Sequence, residues 1–241
     1  MTGLPEGRLF ACPFFFHSWY NNYYYVRESR AVRKGSECMN LYGKYEASLE
    51  GMMDQVRQAI LAYGARRREE NGEMIFEHLR CRVKSAESME KKLASRGLPL
   101  TAKAAFYDVR DAAGFRVVCR FIDDIYENIE EIRKIPGVSI VKEKDYIRHV
   151  KPNGYRSYHL ILQVTAPFED PLGRQPGQFY AEVQLRTIAM DSWAALEHDM
   201  RYKKQIANAA LIGRELKRCA DELASCDVSM QTIRNLIDGK E

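Results

Sequence analysis

The sequence predicts an α+β protein, with a mixed β-sheet flanked by helices, an N-terminal helix and a long C-terminal helix. Two observations lead there. Stretches of three- and four-residue apolar spacing alternate with short β-branched runs from residue 39 onward, and three strand-like runs follow one another between 138 and 186. A third is the tail, where one apolar repeat continues from Ala209 to Ile237. The expected order is helix, strand, helix, strand, helix, three strands, helix, helix.

Each element has its own justification. Leu41, Tyr45, Leu49, Met52, Val56, Ile60 and Tyr63 recur at helical steps. Gly64 is expected to end that helix, with ARRREENG as a charged connector. EMIFEHLRCRV (73–83) reads as a strand, and SAESMEKKLASRGLP as a helix closed by Gly97 and Pro99. FRVVCRF (115–121) has strong β-propensity. DDIYENIEEIRKI (123–135) is a helix stopped by Pro136 and Gly137, and VSIVKEKDYI (138–147) is a strand. VKPNGYRSYHLILQV (150–164) opens on a turn and runs into a strand, and a Pro/Gly-rich loop (166–178) leads to the last strand, 179–186. A helix at 188–203 carries Ala189, Trp193, Leu196 and Met200 on one face. In the tail, 205–238, Ile212, Leu216, Cys219, Leu223, Cys226, Met230 and Ile233 follow an a/d heptad pattern, suited to a helix on its own domain or to one that also meets a partner subunit.

Composition sets outer limits. Of 241 residues, 46% are hydrophobic and 29% charged, enough for one sizeable core. The net charge of +4 permits a phosphate-rich ligand without demanding nucleic acid. Six cysteines stand without a CxxC pair, so zinc has no support, and Cys119, Cys219 and Cys226 are expected as reduced core residues of a cytoplasmic protein. Residues 1–38 are aromatic but far short of the ~20 apolar residues that span a bilayer, and Arg8 is the only positive charge before a broken apolar run. They are expected to be a poorly ordered N-terminal extension, ahead of a single domain at 39–241 that does not engage a membrane.

Three clusters carry chemistry. Alternate strand residues share a face, so Tyr155, Ser157 and His159 point one way while Tyr158, Leu160, Leu162 and Val164 point into the core. Glu182, Gln184 and Arg186 share a face on the next strand, and a hairpin sets the two faces side by side. A solvated sheet face is the plain alternative, but an aromatic ring, an imidazole, a carboxylate, an amide and a guanidinium together are an unusual mixture for one. Lys84, Ser88 and Lys92 stack at four-residue spacing behind Arg82; that is a solvated basic face or a cradle for a polyphosphate. Asp111 precedes a small-residue turn into a strand, and beside Glu182 it makes a carboxylate pair able to hold a divalent metal over a phosphate. No GxxxxGK[ST], GxGxxG or nucleophile elbow occurs.

RVKSAESMEKKL, DAAGFRVVCRFIDDIY, KPNGYRSYHL and EVQLRTIAMDSWAALEH closely resemble the synthetase domain of RelA/SpoT-type enzymes, above all the stand-alone small alarmone synthetases. The resemblance covers residues 40–235. It implies a nucleotidyltransferase-like fold and a GTP pyrophosphokinase that moves the β,γ-pyrophosphate of ATP to the 3′-hydroxyl of GDP or GTP, with Mg²⁺ as cofactor. By the same resemblance Arg82 and Arg116 sandwich adenine, and Lys84, Ser88 and Lys92 meet the donor phosphates. Asp111 is a magnesium ligand, and Glu182 is the essential carboxylate, binding metal and taking the hydroxyl proton. Tyr155 stacks on guanine, and Lys151 and His159 meet the acceptor phosphates. Gln184 and Arg186 fall within the same motif, and Asp191, Asn in some relatives, is expected near guanine or ribose. The family usually has an aliphatic residue where Ala112 stands, which should change packing only. The resemblance also implies a homotetramer, with an alarmone or single-stranded RNA as regulator. His198-Asp199 falls inside the final synthetase helix and is a chance match to a hydrolase HD motif, so synthesis without hydrolysis is expected. Two rivals are a relative that pyrophosphorylates the tRNA 3′ end and a non-catalytic nucleotide or RNA sensor.

Overall fold

Five strands form one sheet in the order β1-β2-β5-β4-β3. They are His78–Val83 (β1), Ala113–Cys119 (β2), Val138–Asp145 (β3), Tyr158–Ala166 (β4) and Gly177–Thr187 (β5). Helices Glu46–Asn71 (α1), Ala86–Ser95 (α2), Ile122–Arg133 (α3), Ile188–Tyr202 (α4) and Ala209–Ile237 (α5) complete the predicted order. The computed structural model describes residues 41–202 and 208–239, so the expected extension at 1–38 and the joint between α4 and α5 lie outside the described residues. β2 and β5 run parallel, and the other neighbouring pairs are antiparallel, which makes the sheet mixed.

Alternation along the strands gives the sheet two unlike faces. Leu79, Cys81, Phe115, Val117, Leu160, Leu162, Ala181 and Val183 are buried in a core with Leu49, Met52, Val56 and Ile60 of α1 and Ile125, Ile129 and Ile132 of α3. The other face is polar, and cross-strand register arranges it in rows. Arg80 pairs with Arg116, Arg116 with Gln184, and Gln184 with His159; in the next row Arg82 pairs with Gly114 and Gly114 with Glu182.

Several boundaries differ from expectation. Gly64 does not end α1, which runs on to Asn71 and stops at Gly72 in the left-handed conformation, φ 77°. Gly64 is small for packing, because a Cβ there would lie 2.6 Å from the Phe76 ring. The first strand starts at His78, not at 73, because the Ile75 carbonyl accepts from the Asn128 side chain at 2.7 Å rather than from a neighbouring strand. The fourth strand starts at Tyr158: Gly154 N donates to Lys151 O at 2.8 Å and Asn153 Oδ1 accepts from Tyr155 N at 3.2 Å, so residues 151–155 close on themselves as a turn. A π-helical turn, Ala104–Val109, went unforeseen; its apolar residues bury without a readable period.

The two last helices choose other faces than predicted. On α4 Met190 and Trp193 are buried, whereas Leu196 is 56% exposed. On α5 the buried residues are Ala220 and Asp227, and Cys219 and Cys226 are exposed, not core. Polar bonds select that face. Trp193 Nε1 donates to Leu216 O at 2.8 Å, Arg156 Nη1 donates to Ala220 O at 3.1 Å, and Thr187 Oγ1 donates to Asp227 at 2.6 Å. No helix among the described residues is long and apolar enough to cross a membrane.

Gly64→Ala is expected to lower stability by about 1–3 kcal/mol through overpacking against Phe76. Ala in a helix interior otherwise gains about 1 kcal/mol over Gly, so the sign of the change in a urea unfolding midpoint separates the two effects.

Candidate active site

The polar face of the sheet opens into a groove of about 440 Å³, lined by Arg80, Arg82, Lys84, Asp111, Gly114, Arg116, Glu182 and Gln184. Its floor follows from the register. Gly114 stands between Arg82 and Glu182 and presents no side chain, and a Cβ added there would meet nothing closer than the Arg82 carbonyl at 3.9 Å. The glycine therefore leaves space for an occupant rather than for the protein's own packing.

Asp111 enters the groove through a local backbone device. Arg110 ends the π-helical turn at φ 62°, a left-handed conformation costly for a side chain of that size, and turns the chain toward β2. Ala112, the next residue, is fully buried, a packing position as expected. Lys84 Nζ then reaches Asp111 Oδ2 at 2.7 Å, and Lys92 Nζ bonds the same oxygen. Burial lowers the Lys84 pKa, with the Asp111 carboxylate acting in the opposite direction. Asp111 Oδ1 is buried and has no hydrogen-bond partner. Ser88 takes no part here: its N–H caps on Ser85 Oγ at 3.3 Å and its hydroxyl pairs with the Ser85 hydroxyl at 2.8 Å.

Glu182 sits in a chain of hydrogen bonds. Its Oε1 accepts from His159 Nδ1 at 3.0 Å and its Oε2 from Gln184 Nε2 at 3.0 Å. Burial alone would favour the neutral acid, but the His159 hydrogen bond and charge, with help from Gln184 and Lys92, outweigh it and bring the carboxyl down to about 2. An ionised Glu182 fixes the imidazole as a donor at Nδ1. Arg186 Nη2 donates to the Tyr155 oxygen at 2.8 Å, and the same oxygen lies 2.8 Å from His159 Nε2. Ser157, expected on the polar face, is fully buried and bonds Leu185 O at 3.1 Å.

The Tyr155 side forms a second half of the site. Tyr155 meets Tyr146 and His159 edge to face, at 6.1 and 5.9 Å between ring centroids. Lys151 Nζ lies 4.7 Å from the Tyr155 centroid and 4.4 Å from that of Tyr146. Asp191, at the start of α4, receives Arg186 Nη1 at 3.0 Å and Arg116 Nη1 at 3.2 Å. The fold thus unites Arg82, Lys84, Asp111, Arg116, Glu182 and Gln184 in the groove, with Lys92 behind Asp111, and gathers Lys151, Tyr155, His159, Arg186 and Asp191 beside it. Among the described residues no group of three or more His, Cys, Asp or Glu side chains is placed to hold a metal; Asp111 and Glu182 both line the groove. Arg80 and Tyr146 were missed. Arg80 had a signal, two residues from Arg82 on an alternating strand; Tyr146 had none. His198 and Asp199 are solvent-exposed on α4, at 77% and 82% side-chain exposure, away from these groups.

The family profile for the region found in RelA / SpoT proteins matches residues 81–207. GTP pyrophosphokinase YwaC of Bacillus subtilis (strain 168) is 39% identical over 168 residues, covering 70% of this chain and 78% of that protein. The crystal structure of small alarmone synthetase 2 from Bacillus subtilis superposes with a TM-score of 0.67 at 35% identity, covering 78% of this chain and 96% of that one. Small alarmone synthetase 1 from Bacillus subtilis, bound to its product pppGpp, gives 0.63 at 28% identity, covering 80% and 99%.

A depressed carboxyl pKa adds stability that is complete above the unfolded value near 4.3 and fades as pH falls toward the folded value of about 2. Parent and Glu182→Gln should therefore differ most in urea midpoint above about pH 5, and the gap should shrink as pH falls below the unfolded value and close near the folded value of about 2. A gap that stays constant with pH would mean that Glu182 gains nothing from its ionised partners.

Proposed function

The chain belongs to the RelA/SpoT family, and on that premise we propose that it is a small alarmone synthetase. It transfers the β,γ-pyrophosphate of ATP to the 3′-hydroxyl of GDP or GTP, giving ppGpp or pppGpp and AMP. One observation carries this reading: the two carboxylates Asp111 and Glu182 line the same groove as Arg82, Lys84 and Arg116. A nucleotide sensor would have no use for that acidic pair beside a phosphate site. A tRNA acceptor would call for a further basic surface, which a net charge of +4 does not favour.

Arg82 and Arg116 take the adenine between planar guanidinium groups. Lys84 and Lys92 meet the donor phosphates and screen them from Asp111. Tyr155 stacks under guanine with Tyr146 at its edge, and Lys151 meets the acceptor phosphates. His159, held at both ring nitrogens, keeps Glu182 oriented. The residues fit Mg²⁺: Asp111 and Glu182 would hold it, and the orphaned Asp111 Oδ1 is an oxygen in need of a cation. Bound there, the ion would neutralise charge developing on the phosphates. Phosphoryl transfer through a loose transition state asks mainly for alignment and charge neutralisation. Glu182 orients the 3′-hydroxyl and accepts its proton as it attacks.

The reading extends to a cytoplasmic homotetramer under alarmone or single-stranded RNA control. Ile233 and Ile237, 51% and 80% exposed on α5, support a subunit contact.

Chromatography of reactions with ATP, Mg²⁺ and GDP, GTP or GMP should show AMP and a 3′-pyrophosphorylated guanine nucleotide; label appearing only on tRNA added in parallel would favour the tRNA reading. Glu182→Gln should lower kcat by about 10²-fold or more and leave ATP binding intact. Tyr155→Ala should raise KM chiefly for the guanine nucleotide. Gly114→Val should raise KM for ATP about ten-fold, some 1.4 kcal/mol, at a nearly unchanged unfolding midpoint.

A further inference from the structure

Asp191 touches both halves of the site. Its Oδ1 accepts Arg186 Nη1 at 3.0 Å and pairs with Arg116 Nη1 at 3.2 Å. Arg116 lines the groove and stands directly across from Arg80 on β1. Arg186 is almost fully buried, and its Nη2 holds the Tyr155 hydroxyl at 2.8 Å and Gln184 Oε1 at 2.9 Å. Burial, then the charges of Arg186, Arg80 and Arg82, weigh against the cationic form of Arg116, and Asp191 acts against them. Like charges directly opposite each other on neighbouring strands repel, so this row of guanidinium groups depends on a shared counter-charge.

We propose that Asp191 couples the two nucleotide sites, through the continuous path Arg116–Asp191–Arg186–Tyr155. This rests on the reading of the groove as the ATP site and of Tyr155 as the guanine platform. A donor that seats Arg116 fixes the Asp191 carboxylate. Asp191 in turn fixes Arg186, and Arg186 fixes the Tyr155 ring. The acceptor then meets a platform that is already ordered and loses less conformational freedom on binding. By linkage the effect is reciprocal. Asp191 is a positioning residue in this scheme and does not touch the reacting atoms.

Calorimetry with a non-hydrolysable ATP analogue, in Mg²⁺, with and without saturating GDP, tests the coupling. GDP is expected to tighten the analogue by about five-fold or more in the parent, and the analogue to tighten GDP by the same factor. Asp191→Asn keeps the shape and removes the charge; whatever it does to the affinity of either nucleotide alone, the ratio with and without the other should fall to about one. Asp191→Ser serves as a second variant should the first fold poorly, and Asp191→Glu, which restores the charge, should recover part of the ratio. A ratio of one in the parent, or a parent-like ratio in the Asn and Ser variants, overturns the proposal. A parent that binds neither nucleotide overturns the functional reading itself, and the coupling with it.

Discussion

The parallel pairing of β2 with β5 is the constraint on which the site depends. It places Gly114 beside Glu182 and Arg116 beside Gln184, and it brings Asp111, at the mouth of β2, to the groove that Glu182 lines. The two strands are separated in sequence by α3, β3 and β4, so their adjacency is created only when the sheet closes. Aliphatic packing on the opposite face holds them: Phe115, Val117, Ala181 and Val183 are buried in the same core as α1 and α3. A slip of one residue in β5 would turn Glu182 into the core and Val183 into the groove, and one in β2 would do the same to Arg116 and Val117. Hydrophobic burial thereby fixes the position of the charges.

Electrostatics is the second organising element. Arg80, Arg82, Lys84, Arg116 and Arg186 gather on one face, answered chiefly by Asp111, Glu182 and Asp191. Such a surface is preorganised for anions. The strain is partly absorbed by sharing, as one oxygen of Asp111 serves two lysines and one oxygen of Asp191 serves two arginines. Shared oxygens leave some donor capacity in the cations, which is what a polyphosphate ligand requires.

Much of this was legible in the sequence because periodicity reports burial. The order of helices and strands, the polar residues Glu182 and Gln184 of β5, and the convergence of Lys84 and Lys92 all follow from spacing. The failures share a cause as well: they lie where a specific contact overrides a local rule. Gly64 looks like a stop signal until Phe76 is known to lie against it. The turn at Asn153 and Gly154 is readable, but Tyr155 and Ser157 look like strand residues until the strand is seen to begin at Tyr158. Cys219 and Cys226 sit on a regular apolar repeat, yet α5 is fastened through Trp193, Arg156 and Thr187 to a different stripe, and no apolar period encodes hydrogen bonds made so far away in the chain. The two arginine partners of Asp191 come from strands whose pairing the sequence does not state.

The docking of α5 ties the tail to the Tyr155 turn. Gly154 adopts φ +90°, and a Cβ there would lie 2.6 Å from the Ala220 side chain, while Arg156 Nη2 reaches Asp221 at 3.0 Å. Turn and helix are thus seated like a hand on a rail, with no slack between them. A displacement of the rail is passed to the hand, so the position of α5 and that of the turn carrying Tyr155 are set together.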